Sequence, residues 1–340
     1  MDAAAAREGP FVAAPDHAEA AVVIPCIEIE TLTIKCVEEC RRLFPQAEII
    51  VLSDVPGNEE ALAREARVIV TGRITIPAKR NRGARETRRK IIGFIDSDAY
   101  PAAAWLDDAV RALREHPEIG AVAGPNVSPP DQSPSERYVG IALRSSICAH
   151  NAHYIKRPAA SRIVDNMPSS NLIVRRNEFL AMGGMDETLY GGEDVEFCQR
   201  LVATGRHILY LPTVLVYHKN RRFKQFVLQR LAYGGITVVA ILKSPSWTFF
   251  VTMMPAAMFL FLLTGLALPW MPWWSWIYVP VLAFYLAVSA IEAFRHSAHL
   301  TDVPGAFAAI IVATLAPGIG ATAKIVGLLP EFRRIYRNDR

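Results

Sequence analysis

The sequence predicts an α/β domain with a mostly parallel sheet, followed by an amphipathic helix and by apolar C-terminal helices that cross a membrane. Three observations lead to this prediction. Short apolar runs alternate with segments of helical periodicity up to about residue 220, a pattern typical of βα units. Acidic residues end two of these runs, at Asp54 and Asp96. No charged residue occurs between Lys243 and Glu292, although 21% of the whole chain is charged.

The strands are predicted at short runs rich in aliphatic residues and bounded by Pro, Gly or acidic residues. These runs cover residues 21–25, 47–54, 67–71, 91–96, 120–127, 170–174 and 209–218. Helices are predicted at residues 33–44, 59–65, 77–90, 101–118 and 193–204. Residues 137–166 follow neither period. Ligands in such sheets bind beyond the C-terminal ends of the strands, so the site is expected at that edge.

The predicted organisation has six parts. A loose Ala-rich segment, 1–19, precedes the α/β domain, 20–220, and an amphipathic helical region, 221–246, lies at the membrane surface. Two spans follow within 247–294, separated by an interfacial cluster that includes Trp270, Trp273 and Trp276. The apolar segment 303–328 is expected to form a re-entrant or interfacial hairpin broken near Pro317, or a further span. Residues 329–340 are a basic tail, expected in the cytoplasm.

Composition argues against several classes of protein. The net charge is only +4, which does not indicate a nucleic-acid partner. The five cysteines are an odd number without CxxC spacing, so neither a disulfide framework nor a zinc site is expected. The first twenty residues contain no apolar run typical of a signal peptide, which predicts that the α/β domain faces the cytosol.

Two pairs of carboxylates could carry chemistry. Asp96 and Asp98 flank Ser97 directly after an apolar strand. Carboxylates so placed can share a divalent cation with a diphosphate, although a solvated turn is the plain alternative. Glu193 and Asp194 open a predicted helix, where acidic residues also stabilise the helix dipole.

The order of several motifs resembles that of family 2 glycosyltransferases with the GT-A fold, a Rossmann-like, mostly parallel sheet. In chain order the motifs are VVIP, VLSD, AKRNRGA, FIDSDAY, SSNLIVRR, GGMDE, GGEDVEFCQRL and YH, within roughly residues 20–235. The membrane-attached tail is similar to that of bacterial members that build surface polysaccharides on lipid carriers. The resemblance implies a nucleotide-sugar donor, expected to be UDP-linked, and Mn²⁺ or Mg²⁺ as cofactor.

The resemblance also implies roles for individual residues. Asp54 would read the nucleotide base, Asp96 would lie near the ribose and the metal, and Asp98 would bind the metal beside the diphosphate. His218 would lie near the metal or the diphosphate. Asp194 resembles the general base, with Glu193 beside it. The base would deprotonate the acceptor hydroxyl as it attacks the anomeric carbon opposite the departing diphosphate, which inverts the configuration.

Further contacts to the nucleotide sugar are implied for Pro25, Glu28, Lys79, Arg80, Asn81, Ser97, Ser170, Asn171, Arg221 and Arg230. Two of these positions depart from the family pattern. Glu28 stands where the family usually has a Pro-x-x-Asn loop, and Arg230 is followed by Leu231, so the QxxRW form is not matched literally. Arg221 and Arg230 could equally bind anionic lipid headgroups.

The predicted function is inverting transfer of a sugar to a polyprenyl-diphosphate-linked glycan at the cytoplasmic face of the bacterial inner membrane. The expected partners are a nucleotide sugar, a lipid-linked glycan and membrane lipids. Three alternatives stay open: direct transfer to polyprenyl phosphate, processive synthesis, and a catalytically silent membrane scaffold with the same fold.

Overall fold

The computed structural model describes residues 17–148, 159–189, 191–243 and 253–328. Strands within these residues are β1 Ala20–Pro25, β2 Glu48–Ser53, β3 Arg67–Val70, β4 Ile91–Ile95, β5 Ala99–Pro101, β6 Ile119–Ala123, β7 Asn126–Val127, β8 Arg162–Val164, β9 Asn171–Arg175, β10 His207–Tyr210 and β11 Val216–His218. Helices are α1 Thr31–Leu43, α2 Glu59–Leu62, α3 Ile76–Glu86, α4 Trp105–Glu115, α5 Pro134–Arg144, α6 Arg176–Ala181, α7 Glu193–Ala203, α8 Phe223–Lys243, α9 Met254–Leu263, α10 Ser275–His296 and α11 Val303–Ile325.

The main sheet has the strand order β3-β2-β1-β4-β9-β6-β10-β8. Strands β1 to β4 pair in parallel, as do β6 and β10, whereas β9 runs antiparallel to β4 and β6, and β8 antiparallel to β10. The prediction of an α/β fold with a mostly parallel sheet is therefore confirmed. The chain moves outward from β1 through β2 to β3 and returns to β4 on the other side of β1. This switch point opens a crevice at the C-terminal ends of β1 and β4.

The two faces of the sheet are covered by different helices. Along β1, Val22 packs with α1 and α4 on one face, whereas Val23 packs on the other face with Phe179 of α6 and Phe197 of α7. This alternation follows from the two-residue repeat of a strand. Both faces are buried, which is why these strands are continuous apolar runs in the sequence.

A second, three-stranded sheet has the order β5-β11-β7. The single strands predicted at 120–127 and 209–218 are wrong, because each is divided between the two sheets. Pro125 and Pro212 interrupt the ladders, since proline has no backbone donor. At Gly124 the chain passes so close to Val214 that a Cβ would overlap with its carbonyl oxygen.

Several predicted helix boundaries also differ. The helix predicted from residue 101 begins at Trp105, because Pro101 belongs to β5, and α3 ends at Glu86 rather than at residue 90. The segment without clear period, 137–166, contains most of α5 and all of β8. Helix α5 begins just before it, at Pro134, and its N-terminus is capped reciprocally by Ser133 and Glu136. Residues 149–158 of that segment lie outside the described residues.

The helical C-terminal part differs from the prediction in one respect. The break expected near Pro317 is wrong, because α11 continues through this residue. Glycines on both helices serve close packing here. A Cβ on Gly320 of α11 would overlap with the carbonyl oxygen of Leu231 in α8, and a Cβ on Gly234 of α8 would overlap with the carbonyl oxygen of Pro317 in α11. Glycines that allow backbones to approach are typical of packed apolar helices.

Within the described residues, two helices are long and apolar enough to cross a membrane, by length and composition. They are Pro272–His296, with 25 residues and mean hydropathy 1.9, and Leu300–Ile325, with 26 residues and mean hydropathy 1.8. The described part of the predicted first span is the shorter apolar helix Met254–Ala267, while 247–252 lie outside the described residues.

The apolar helices are attached to the α/β domain through α5. Val139 of α5 lies in one buried cluster with Phe226 of α8 and Ile310 of α11. At the edge of this cluster, the Arg137 guanidinium donates two hydrogen bonds to the Asp302 carboxylate, at 2.9 and 2.8 Å. The crevice of the sheet and the apolar helices thus belong to one packed structure.

Candidate active site

Two carboxylates and an imidazole converge beyond the C-terminal end of β4. Asp96 and Asp98 lie in the turn between β4 and β5, and His218 ends β11, opposite Ala99 in the antiparallel pair. His218 Nε2 lies 3.4 Å from Asp96 Oδ2 and 3.5 Å from Asp98 Oδ1. One ligand atom from each of the three residues lies within 4.8 Å of the others. The pairing of β5 with β11 brings together residues that are more than a hundred positions apart.

The electrostatics of this cluster fit a cation. Burial alone would lower the pKa of His218, but the charges of Asp98 and Asp96 and a hydrogen bond to Asp96 raise it to about 9. Burial alone would raise the pKa of Asp96, but His218 and Arg80 lower it to about 2. The cluster therefore holds an imidazolium between two carboxylates. A divalent cation would displace this proton and find oxygen and nitrogen donors within reach of one ion.

Helix α3 presents three consecutive buried polar residues, which reach three different segments of the site. Successive helical side chains diverge by about 100°. The ammonium of Lys79, which is 0% exposed, lies 2.6 Å from Asp54 Oδ1 after β2 and also donates to the Cys26 carbonyl after β1. Lys79 thereby ties the predicted base-reading residue to the end of the neighbouring strand.

The next residue, Arg80, joins the cation cluster to the predicted catalytic pair. Its Nη2 donates to Asp96 Oδ1 at 2.7 Å, and its Nη1 donates to Glu193 Oε1 at 3.2 Å. The third residue, Asn81, holds the loop before α7, because its amide donates to the Met185 carbonyl and its oxygen accepts from the Met185 N–H, both at 2.8 Å. The polar atoms of α3 thus engage protein groups around the site.

Glu193 and Asp194 form the first turn of α7, after two glycines with left-handed backbone. Burial and the charge of Asp194 raise the pKa of Glu193 to about 7, although Arg80 acts in the opposite direction. Burial also raises the pKa of Asp194. Hydrogen bonds from the backbone N–H groups of Val195 and Ser169 and the charge of Arg80 lower this pKa, but to a smaller extent. Asp194 is half-buried, and its Oδ1 accepts from the Val195 N–H at 2.9 Å. Both carboxyls are therefore better proton acceptors than free carboxyls.

Two of the remaining predicted residues have partners within the protein. Asn171 is fully buried: its oxygen accepts from the Trp105 indole at 2.8 Å, and its amide donates to the Val214 carbonyl at 2.9 Å. These contacts account for Asn171 without a ligand. Ser170 Oγ accepts from the Asn126 amide at 2.8 Å.

The other predicted contacts are spread around the crevice and beyond it. Pro25 is buried at the end of β1, Glu28 is exposed in the loop that follows, and Ser97 is half-buried between the two acids. Arg221 is half-buried just before α8. On α8, the guanidinium of Arg230 lies over the Phe226 and Tyr233 rings, at 5.0 and 5.2 Å from their centroids.

A small cleft lies beside Asp98, and it is not predicted from the sequence. Its lining residues are Leu32, Lys35, Asp98, Ala99, Tyr100, Pro129, Asp131 and Lys219. Tyr100 stacks on Tyr217 of the paired strand, with ring centroids 5.1 Å apart, and the Lys35 ammonium lies 4.4 Å from the Tyr100 centroid. Strands of three residues carry too little periodicity to predict such a pair.

Residues 71–242 match the family model described as glycosyltransferase like family 2, which covers half of the chain. The chain belongs to this glycosyltransferase family. The motif order that predicted it is thereby confirmed. The matched residues include the cation cluster, α3 in full and the carboxylate pair of α7.

Among curated proteins, this family 2 glycosyltransferase is 30% identical over 173 residues to the pre-mycofactocin glycosyltransferases of two Mycobacterium tuberculosis strains. The match covers 50% of this chain and 36% of the relatives, so the chain spans little more than a third of their length.

Two solved structures are also similar. One, GalNAc-T7 with UDP, GalNAc and Mn²⁺, has a TM-score of 0.46 and 17% identity, over 60% of this chain and 44% of that chain. The other, the mannosyltransferase PcManGT from Pyrobaculum calidifontis with GDP-Man and Mn²⁺, has a TM-score of 0.49 and 18% identity. This match covers 96% of this chain and 86% of that chain. Because both TM-scores are below 0.5, the family assignment comes from the sequence match.

Proposed function

We propose that this family 2 glycosyltransferase transfers a sugar, with inversion, from a UDP-linked donor to a glycan on a polyprenyl-diphosphate carrier. One observation carries the proposal. The cluster of Asp96, Asp98 and His218 lies at the switch point of the sheet and is joined through Arg80 to Glu193 at the start of α7. A site for a cation and a diphosphate thus adjoins a pair of proton acceptors.

In this proposal, Asp96, Asp98 and His218 hold Mn²⁺ or Mg²⁺ together with the donor diphosphate. When bound there, the cation neutralises the negative charge that develops on the leaving diphosphate. Asp54, oriented by Lys79, accepts a hydrogen bond from the nucleotide base at the ends of β1 and β2.

The transfer step needs one proton acceptor. The acceptor hydroxyl oxygen forms a bond to the anomeric carbon, the bond from that carbon to the diphosphate oxygen breaks, and the hydroxyl proton moves to the Asp194 carboxylate. We assign this role to Asp194 because Glu193 is 8% exposed and already bound to Arg80. The pKa of Asp194 is raised by burial, which brings the carboxyl closer to the pH at which it works.

The acceptor is proposed to be lipid-linked because the catalytic domain is packed on two helices of spanning length. Trp270 and Trp273, in the turn before α10, and Trp276, in its first turn, are strongly exposed, as indoles at a bilayer interface are. Arg295 and His296 end α10, and basic residues at a helix end favour the cytoplasmic side. Two reactants held at one interface meet with a smaller loss of entropy. We therefore place the reaction at the cytoplasmic face of the bacterial inner membrane, on the side of Arg295 and His296.

The test is release of nucleoside diphosphate and transfer of labelled sugar to extracted membrane lipids, with a panel of UDP-sugars and Mn²⁺. Asp194→Asn should lower turnover roughly 10²- to 10⁴-fold while the Kd for UDP with Mn²⁺ stays unchanged. Glu196→Gln is the matched control, since Glu196 lies in the same helical turn but pairs with Arg200. Normal turnover by a folded Asp194→Asn variant would refute the assignment of the base. A folded parent without activity on any donor would favour the scaffold alternative.

A further inference from the structure

Arg80 occupies a bridging position between two parts of the site that the sequence keeps far apart. It lies on α3, 16 residues from Asp96 and 113 residues from Glu193. Its side chain is 3% exposed, and among the described residues its hydrogen bonds go to these two carboxylates alone. Its Nε–H is buried without a hydrogen-bond partner in that part of the chain. The guanidinium is therefore held in place by the two carboxylates.

The two oxygens of Asp96 are divided between different partners. Oδ1 accepts the 2.7 Å hydrogen bond from Arg80, whereas Oδ2 faces His218 at 3.4 Å. The oxygen directed at the cation cluster is thus the one that Arg80 does not use. A single carboxylate can hold the arginine and the cation at the same time. The planar fork of a guanidinium also fixes the rotation of a carboxylate more strictly than a lysine ammonium does.

The other Nη group of Arg80 binds one residue of the catalytic pair, Glu193. Nη1 of Arg80 donates to Glu193 Oε1 at 3.2 Å, and Glu193 adjoins Asp194 in the first turn of α7. Fixing the Glu193 side chain therefore fixes the start of α7 relative to Asp96. This connection would set the position of the proton acceptor relative to a cation held by Asp96. Misplacement of a reacting group by about 1 Å can cost 10²-fold in rate.

We propose that Arg80 is a positioning residue, which orients Asp96 for the divalent cation and aligns the start of α7 with that cation. This inference rests on the cation site of the proposed function. It gives Arg80 a role through protein groups, in place of the nucleotide contact that the family resemblance implied.

The first test measures Mn²⁺ binding to the full chain in detergent by calorimetry, with UDP present. Arg80→Lys keeps the charge but offers one ammonium to two carboxylates. It should weaken Mn²⁺ binding by roughly 10- to 100-fold, the usual effect of losing a group that orients a metal ligand. Arg82→Lys is the matched control, because Arg82 lies on the same helix with 40% of its side chain exposed and pairs with Glu86 at 3.7 Å. Its Mn²⁺ affinity should equal that of the parent.

The second test separates the contact of Arg80 with Asp96 from its contact with Glu193. Glu193→Gln removes the charge from the group that Arg80 binds and so weakens this hydrogen bond. It leaves the bond from Arg80 to Asp96 in place, so the Mn²⁺ affinity should stay close to that of the parent while turnover falls. The effects of Arg80→Lys and Glu193→Gln on turnover should also be less than additive, since both loosen the same connection. Thermal unfolding of each variant identifies loss of fold. If Arg80→Lys does not fold, Arg80→Gln takes its place with the same expectations.

The outcomes distinguish this inference from the proposed function. If the parent binds Mn²⁺ and folded Arg80→Lys binds it equally well, the role of Arg80 at Asp96 is overturned and the cation site stands. If the two turnover effects are strictly additive, the role at α7 is overturned. If the folded parent binds no Mn²⁺ with UDP, the cation site and the inference fall together.

Discussion

Replacing Lys79 by methionine should destabilise the catalytic domain strongly. The Lys79 side chain is fully buried, and its ammonium lies 2.6 Å from the Asp54 carboxylate, of which only 12% is exposed. Methionine fills much the same space with an unbranched apolar chain but provides no charge. The variant leaves Asp54 as a nearly buried carboxylate without its cation, and it leaves the Cys26 carbonyl without this donor.

The magnitude follows from the burial of both partners. Removing one partner of a buried ion pair costs about 3–5 kcal/mol, because the remaining charge stays desolvated. For a domain of this size, that corresponds to a loss of roughly 6–20 °C in Tm. The double variant Lys79→Met/Asp54→Asn carries no unpaired charge, so it should regain most of this loss.

The assay is thermal unfolding of the full chain in detergent, followed by circular dichroism at one fixed scan rate, because the Tm of irreversible unfolding depends on the scan rate. Lys90→Met is the control. The Lys90 side chain is 81% exposed and 3.6 Å from Glu19, so its loss should shift the Tm very little. Two results would refute the reasoning: a Lys79→Met variant that melts with the parent, or a double variant no more stable than the single one.

Two further predictions concern the cation cluster and the helix packing. Because the pKa of His218 is about 9 without a cation, Mn²⁺ must displace a proton below that pH, and its affinity should fall about tenfold for each unit from pH 8 to pH 6. Calorimetry in two buffers of different ionisation enthalpy would show the released proton, and an affinity independent of pH would contradict the ligation by His218. In α11, Gly320→Ala should lower the Tm although alanine favours helix by about 1 kcal/mol, because its Cβ would overlap with the Leu231 carbonyl oxygen. A raised Tm would contradict the close contact of α8 and α11.

The sequence predicts the α/β core well because both faces of the sheet are buried. Strands such as β1 and β4 are therefore continuous apolar runs, and their ends are marked by Pro25 and Asp96. The small sheet is different, since β5 and β11 have three residues each and acquire order only by pairing. In α11, a cluster of Pro and Gly suggests a break, yet Gly320 serves contact between helices. Local sequence cannot distinguish a glycine that ends a helix from one that packs it.

The candidate site also contains some residues that the sequence predicts and some contacts that it does not. Asp96, Asp98 and Asp194 can be predicted because each follows a strand or opens a helix within a recognisable motif. The contacts of Lys79 and Arg80 cannot be predicted from the sequence, because they depend on which strands are neighbours at the switch point. A basic helix face of this kind usually lies in solvent, whereas here the fold covers it and pairs its charges with acids from three other segments.

The most direct test of the central claim is calorimetric titration of the detergent-purified protein with UDP, GDP and TDP, with and without Mn²⁺ or Mg²⁺. We predict that UDP binds, that binding requires the cation, and that Asp98→Ala weakens it at least about tenfold. Binding of no nucleotide by the folded protein, or equal affinity with and without a cation, would contradict a cation-dependent glycosyltransferase built on Asp96, Asp98 and His218.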